Sequence, residues 1–119
     1  MNKPQNYRDI IDELVDICKN GQGAIAANRA ISGIWNVNAS DVNQDKNNTV
    51  LNKLSIGDRE IVAKMLRDEV VCGIFETLKV LEKHRVEPFQ NGYEDSPCND
   101  FIGRNAIPTW EWPANNTEP

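Results

Sequence analysis

Apolar residues recur every three or four positions over most of this chain, a period that predicts helices. Near the N-terminus, Tyr7, Ile10, Ile11, Leu14, Val15 and Cys18 share one helical face, and Arg8, Asp9, Asp12, Glu13 and Asp16 occupy the rest of the wheel. Pro4 suits the start of this helix and Asn20-Gly21 its end. Ala27, Ala30, Ile31, Ile34 and Trp35 form a second stripe, weakened by Gly33. The next stretch, "NVNASDVNQDKNN" at 36–48, is polar and turn-rich and reads as a loop. Val50, Leu51 and Leu54 then suggest a short helix.

The clearest pattern follows. Ser55 stands three residues before Asp58, a capping-box-like start with Asp in place of Glu or Gln. Ile61, Val62, Met65, Leu66 and Val70 trace an apolar stripe, continued by Ile74, Leu78 and Leu81. Gly73 is a candidate bend or break. Glu60 to Lys64 and Glu76 to Lys79 have the spacing of weak surface ion pairs. The helical pattern ends near His84, and Pro88 opposes extension. Beyond Pro88, Gly, Pro, Asn, Asp and Ser dominate, with one helical turn expected over "NDFIGR" under an Asn99 cap. No segment alternates as a strand. The expected fold is all-α: a small irregular bundle of four to five helices in one domain, 1–119. Its C-terminal Trp/Pro arm is extended, and its ends, 1–4 and 114–119, are expected to fray.

Composition narrows the partners. The chain has 119 residues, long enough for one self-sufficient core. Its net charge is −5 and its pI about 4.8. Nucleic acid and anionic membrane surfaces attract basic patches, so neither is expected as a partner. A basic protein partner is compatible. Acidic residues interrupt the first 20 positions, so no signal peptide is expected, and no apolar run approaches a membrane span. A cytoplasmic protein is the expectation. On that basis Asn38-Ala39-Ser40, Asn47-Asn48-Thr49 and Asn115-Asn116-Thr117 are by-products of an Asn-rich chain rather than glycosylation sites. Cys18, Cys72 and Cys98 are odd in number and widely spaced, which predicts free thiols, with Cys18 and Cys72 in the core.

Catalytic chemistry finds little footing. With only His84 and no Cys ligand spacing, a zinc site has no donor set. Asp68, Glu69 and Glu76 are the nearest thing to a carboxylate metal site, but they lack the Glu-x-x-His pairs of di-iron bundles and read as a solvated face. Cys98 and His84 could make a nucleophile pair only if the fold joined them. There is no G-x-S-x-G and no phosphate loop. No residue is assigned a catalytic role, and no metal or cofactor is implied.

The stretch "DFIGRNAIPTWEWP", residues 100–113, is the most unusual. Trp110 and Trp112 are two apart, so an extended arm points them the same way. One reading makes the arm a plug that buries its indoles across the helices. Arg104 would then pair with Asp100, or reach Asp68 or Glu69. The other makes Phe101, Arg104, Trp110 and Trp112 a recognition surface, because Trp and Arg concentrate at binding hot spots.

Two stretches carry a family resemblance. "LSIGDREIVAKMLRDEVVCGIFETL" resembles the L-S-x-x-x-R-E-x-x-A-x-M-L-x-D-E run of a family of small bacterial proteins of unknown function. "DFIGR…WEWP" resembles that family's closing D-F-[VI]-x-R and W-P. The matched residues are Arg59, Glu60, Met65, Leu66, Asp68, Glu69, Asp100, Phe101, Arg104, Trp112 and Pro113. The interval from Arg104 to Trp-Pro is two residues longer than the family pattern. Trp110 is an added indole, and a Gly expected between Arg104 and the Trp is missing. The resemblance implies a helical bacterial protein and no particular reaction.

Three functions remain. The first is a non-enzymatic protein-binding module, an adaptor or an inhibitor of the immunity type. The second is a small-molecule binder or enzyme with Asp68, Glu69, Asp100 and Arg104 around a tail-closed pocket. The third is a self-associating structural domain.

Overall fold

The computed structural model describes residues 5–93 and 95–113. The expected frayed ends, 1–4 and 114–119, lie outside the described residues, as does Pro4 as a helix start. Within them the chain forms five helices and no strand beyond one isolated bridge between Gly92 and Asp95. They are α1 (Gln5–Lys19), α2 (Gln22–Ser32), α3 (Lys46–Asn52), α4 (Ile56–Lys83) and α5 (Pro97–Ala106). No helix is long and apolar enough to cross a membrane among these residues.

The organising element is α4, whose 28 residues span about 42 Å. Ser55 Oγ accepts the Asp58 N–H at 3.0 Å, which starts the helix where the cap pattern placed it. Gly73 does not break it. Two cores line its length. Toward its N-terminal half, Ala27 and Ala30 of α2 meet Ala63, with Val62 and Leu66 at the margin. Small residues let these two helices approach closely. Toward its C-terminal half, Tyr7, Ile11, Val15 and Cys18 of α1 join Leu78, Phe89, Cys98 and Phe101. Val70, Ile74 and Leu81 pack against this second core as their spacing predicted.

Several local expectations change. Ile61 and Met65 face solvent, 62% and 60% exposed, because they lie about 100° round the wheel from Val62 and Leu66, beyond the side that α2 covers. Cys72 is exposed for the same reason. Lys64 pairs with Asp68 at 3.1 Å, not with Glu60, whereas Lys79 does reach Glu76 at 3.8 Å. Gly21 is not a left-handed cap. Its φ is −100°, and it opens α2 directly after α1. The left-handed cap is Gly33, with φ 79° and its N–H shared between the Arg29 and Ala30 carbonyls. The second helix therefore stops at Ser32, and Ile34 and Trp35 fall beyond it. The third helix starts at Lys46, inside the expected loop, because Asp45 caps it through the Asn47 and Asn48 N–H groups. The last helix is ten residues rather than one turn, and Ser96 caps it instead of Asn99, with Pro97 in its first turn.

Candidate functional site

The C-terminal arm answers the question its composition raises. Asp12 of α1 gathers it: Arg104 Nε donates to Asp12 Oδ1 at 2.9 Å and Trp112 Nε1 to the same oxygen at 3.0 Å. Arg104 also donates through Nη1 to the Trp110 carbonyl at 2.9 Å, which folds the arm back on α5. The Trp110 and Trp112 rings meet edge-to-face at 4.9 Å, consistent with side chains two apart on an extended segment. Trp112 closes an aromatic box with Tyr7 and Tyr93, and the Arg8 guanidinium lies over Tyr93 and Trp112 at 4.9 and 5.5 Å. Arg8 further donates to the Tyr93 hydroxyl at 3.2 Å and to the Pro113 carbonyl.

Beneath the box sits a buried carboxylate. Asp100 is fully buried and accepts the Tyr7 O–H at 2.5 Å and the Tyr93 N–H at 2.8 Å. Burial, then the hydrogen bond to Asp100 and its charge, hold the Tyr7 phenol far above its ordinary range. Phe101 is fully buried beside it.

The residues singled out in the sequence therefore do not form one site. Asp100 and Phe101 are core, Arg104 and Trp112 are held by Asp12, and Trp110 is half-buried on Trp112. Asp68 and Glu69 are exposed on α4, Asp68 on Lys64. Arg104 pairs with Asp12 instead of Asp68, Glu69 or Asp100. An open cleft of about 380 Å³ does flank Arg104, but its carboxylates are Asp12 and Asp16. Nor do Cys98 and His84 make a nucleophile. His84 is exposed, whereas Cys98 is buried, donates to the Phe75 carbonyl, and has its thiol pushed up by burial. A reactive thiolate needs the opposite shift. Among the described residues, no three His, Cys, Asp or Glu side chains converge as a metal site.

The other end of the molecule holds what the sequence reading missed. Asn48 is buried, and its amide organises the loop from Gly33 to Asp45. Its Oδ1 accepts the Trp35 and Asn36 N–H groups at 2.6 and 2.9 Å. Its Nδ2 donates to the Asn36 and Val42 carbonyls at 3.2 and 2.9 Å. All four amide valences are used. Asp45 braces the same loop, accepting Asn36 Nδ2 at 3.0 Å on each oxygen. That bond and the helix-cap N–H groups hold its carboxyl below the usual range.

Trp35, positioned this way, becomes a partition between two concavities. On one side an open apolar groove of about 340 Å³ is lined by Val50 and Leu51 of α3 and Val62 and Leu66 of α4. On the other a mixed hollow of about 350 Å³ is lined by Arg29, Asn36, Asn38 and Asp45 together with Val37 and Ala39. The Arg29 guanidinium stacks over the indole at 5.5 Å. The one available signal was Gly33: a helix stop there strands Trp35 in a loop instead of a core stripe.

No curated protein and no solved structure matches the chain. The model of a family of unknown function matches residues 1–114. With the helical fold and the C-terminal arm now described, the chain belongs to that family of unknown function (DUF6547).

Proposed function

We propose that this protein is a non-enzymatic protein-binding module and that its partner docks on the Trp35 groove. One observation carries the reading: an indole and four aliphatic side chains line an open groove over a core made mainly of alanines. Val50 there is 58% exposed. Apolar side chains gathered in one open groove, rather than scattered singly over the surface, are what mark an interaction site. The arm, tied down by Arg104 and Trp112 on Asp12 and by Arg8 on the Pro113 carbonyl, acts as the plug. Against the alternative small-molecule site around Asp68, Glu69, Asp100 and Arg104, the cleft beside Arg104 takes in none of the other three residues.

The test is affinity capture from cells of the source organism with wild type, Val50→Glu and Trp110→Ala. Val50 is exposed enough for Glu to leave folding intact, which circular dichroism checks. The expected result is a protein retained by wild type and Trp110→Ala but lost by Val50→Glu. Loss with Trp110→Ala alone moves the site to the arm. A capture unaffected by either change overturns the groove.

A further inference from the structure

The two sides of Trp35 differ in chemistry, and the difference specifies what docks there. Arg29 stacks on the indole but forms no ion pair among the described residues. Asp45 shares its hollow as one negative charge, its oxygens held by Asn36 and the N-terminus of α3 and in no ion pair with Arg29. A second guanidinium belongs to the same end. Arg59 precedes Val62 and Leu66 on one face of α4, at i, i+3 and i+7. It crowds against Gly33. Its Nε is buried without a hydrogen-bond partner, and it too forms no ion pair. The carbonyl end of α2 offers these arginines only a fraction of a negative charge. In a chain with net charge −5, two guanidinium groups outside any ion pair at this end, against the one carboxylate of Asp45 in the hollow, are a local reversal of sign.

We propose that the occupant is a segment of a partner protein that places apolar anchors in the groove and an acidic side chain against Arg29. This rests on the reading of the groove as a protein-binding site. Trp35 separates the two halves of the recognition. Its groove face takes the anchor, and Arg29 stacked on it takes the carboxylate. A guanidinium pre-ordered on an indole loses less freedom on pairing than a free one. The overall negative charge favours basic partners at long range, but the groups at contact distance select an acidic one.

The probes are two short helical peptides with leucines along one face, identical except for Glu or Lys at the remaining positions. Each is titrated into ¹⁵N-labelled protein, with the three indole N–H signals as reporters. The Glu peptide is expected to shift Trp35 and leave Trp112 in place. It should bind at least about tenfold tighter than the Lys peptide. Arg29→Gln should weaken it by about tenfold, and added salt should weaken it as well. If both peptides bind equally and Val50→Glu abolishes both, the groove stands and the acidic partner is overturned. If neither peptide moves Trp35 and capture is indifferent to Val50→Glu, both readings fall. Sedimentation decides the remaining occupant. A dimer that dissociates on Val50→Glu assigns the groove to a second copy of the chain and overturns the proposal.

Discussion

Replacing Tyr7 by Phe removes one oxygen from the middle of the larger core and leaves the ring. That ring contacts Phe89, Tyr93 and Trp112 at centroid distances of 5.9, 6.2 and 6.1 Å, and Phe retains all three. The loss is therefore confined to the 2.5 Å hydrogen bond into Asp100, a fully buried carboxylate. A hydrogen bond to a charged group contributes about 1.5–3 kcal/mol, and the deprived acceptor here has no water to replace the donor. At about 2.1 cal/mol/K per residue, a 119-residue chain unfolds with roughly 0.25 kcal/mol/K, so the melting temperature should fall by about 6–12 °C. A second signature is pH. The folded phenol titrates far above the unfolded one, so its contribution is complete below pH of about 10 and is lost as pH rises further. In that range the unfolded chain sheds a proton that the native state keeps, which costs about 1.4 kcal/mol per pH unit. Tyr7→Phe lacks this proton, so its stability should decline less steeply above pH 10, by that slope. Thermal melts by circular dichroism from pH 7 to pH 11 read both. A drop under about 2 °C, or parallel alkaline limbs, would refute the role given to this bond.

Five further outcomes follow from the packing. A Cβ on Gly23 would overlap the Cys18 carbonyl, whose carbon lies 2.8 Å away, so Gly23→Ala should cost about 3 kcal/mol or more in denaturant titrations. Gly73 has open space around it on the exposed face of α4, and Gly73→Ala should instead stabilise by about 1 kcal/mol. Asn48→Ala removes every amide bond holding Trp35, Asn36 and Val42; about 2–4 kcal/mol should be lost, with a shift of the Trp35 indole signal. Trp112→Ala opens the aromatic box and leaves Asp12 with Arg104 alone, and chemical denaturation should show a loss of about 2–3 kcal/mol. Among the thiols, exposed Cys72 should react first with a disulfide reagent. Cys18 and Cys98, buried and with raised thiols, should wait for unfolding, as mass spectrometry of the labelled peptides would show.

Much of the fold is readable without coordinates. The α1 stripe from Tyr7 to Cys18, the Ser55 start of α4 and its end at His84 are all written in local spacing and caps. The errors are local competitions that spacing does not resolve. Gly33 can weaken a helix or end it, and only its left-handed φ shows that it ends α2 and releases Trp35. Pro97 and Ser96 together start a helix in a stretch whose composition reads as turns. The family resemblance holds, the family model matching residues 1–114, and the all-α expectation holds among the described residues.

What the sequence determined alone was therefore periodic and short-range: helix character, most boundaries, an acidic surface and the oddity of the arm. Partner choice belonged to the tertiary structure. Ile61 and Val62 are neighbours in sequence, yet only the face that α2 covers is buried. Asp12 was one acid among several on a solvated-looking face. It became the anchor of Arg104 and Trp112, 92 and 100 residues away, because α5 returns beside α1. Asp100 was a candidate site residue and became a core acceptor for the same reason. Trp35 passed as core until Asn48, thirteen residues on, fixed it between two hollows. Periodicity records which residues want burial, but the burying surface comes from elsewhere in the chain. Its identity depends on three-dimensional packing that no local pattern encodes.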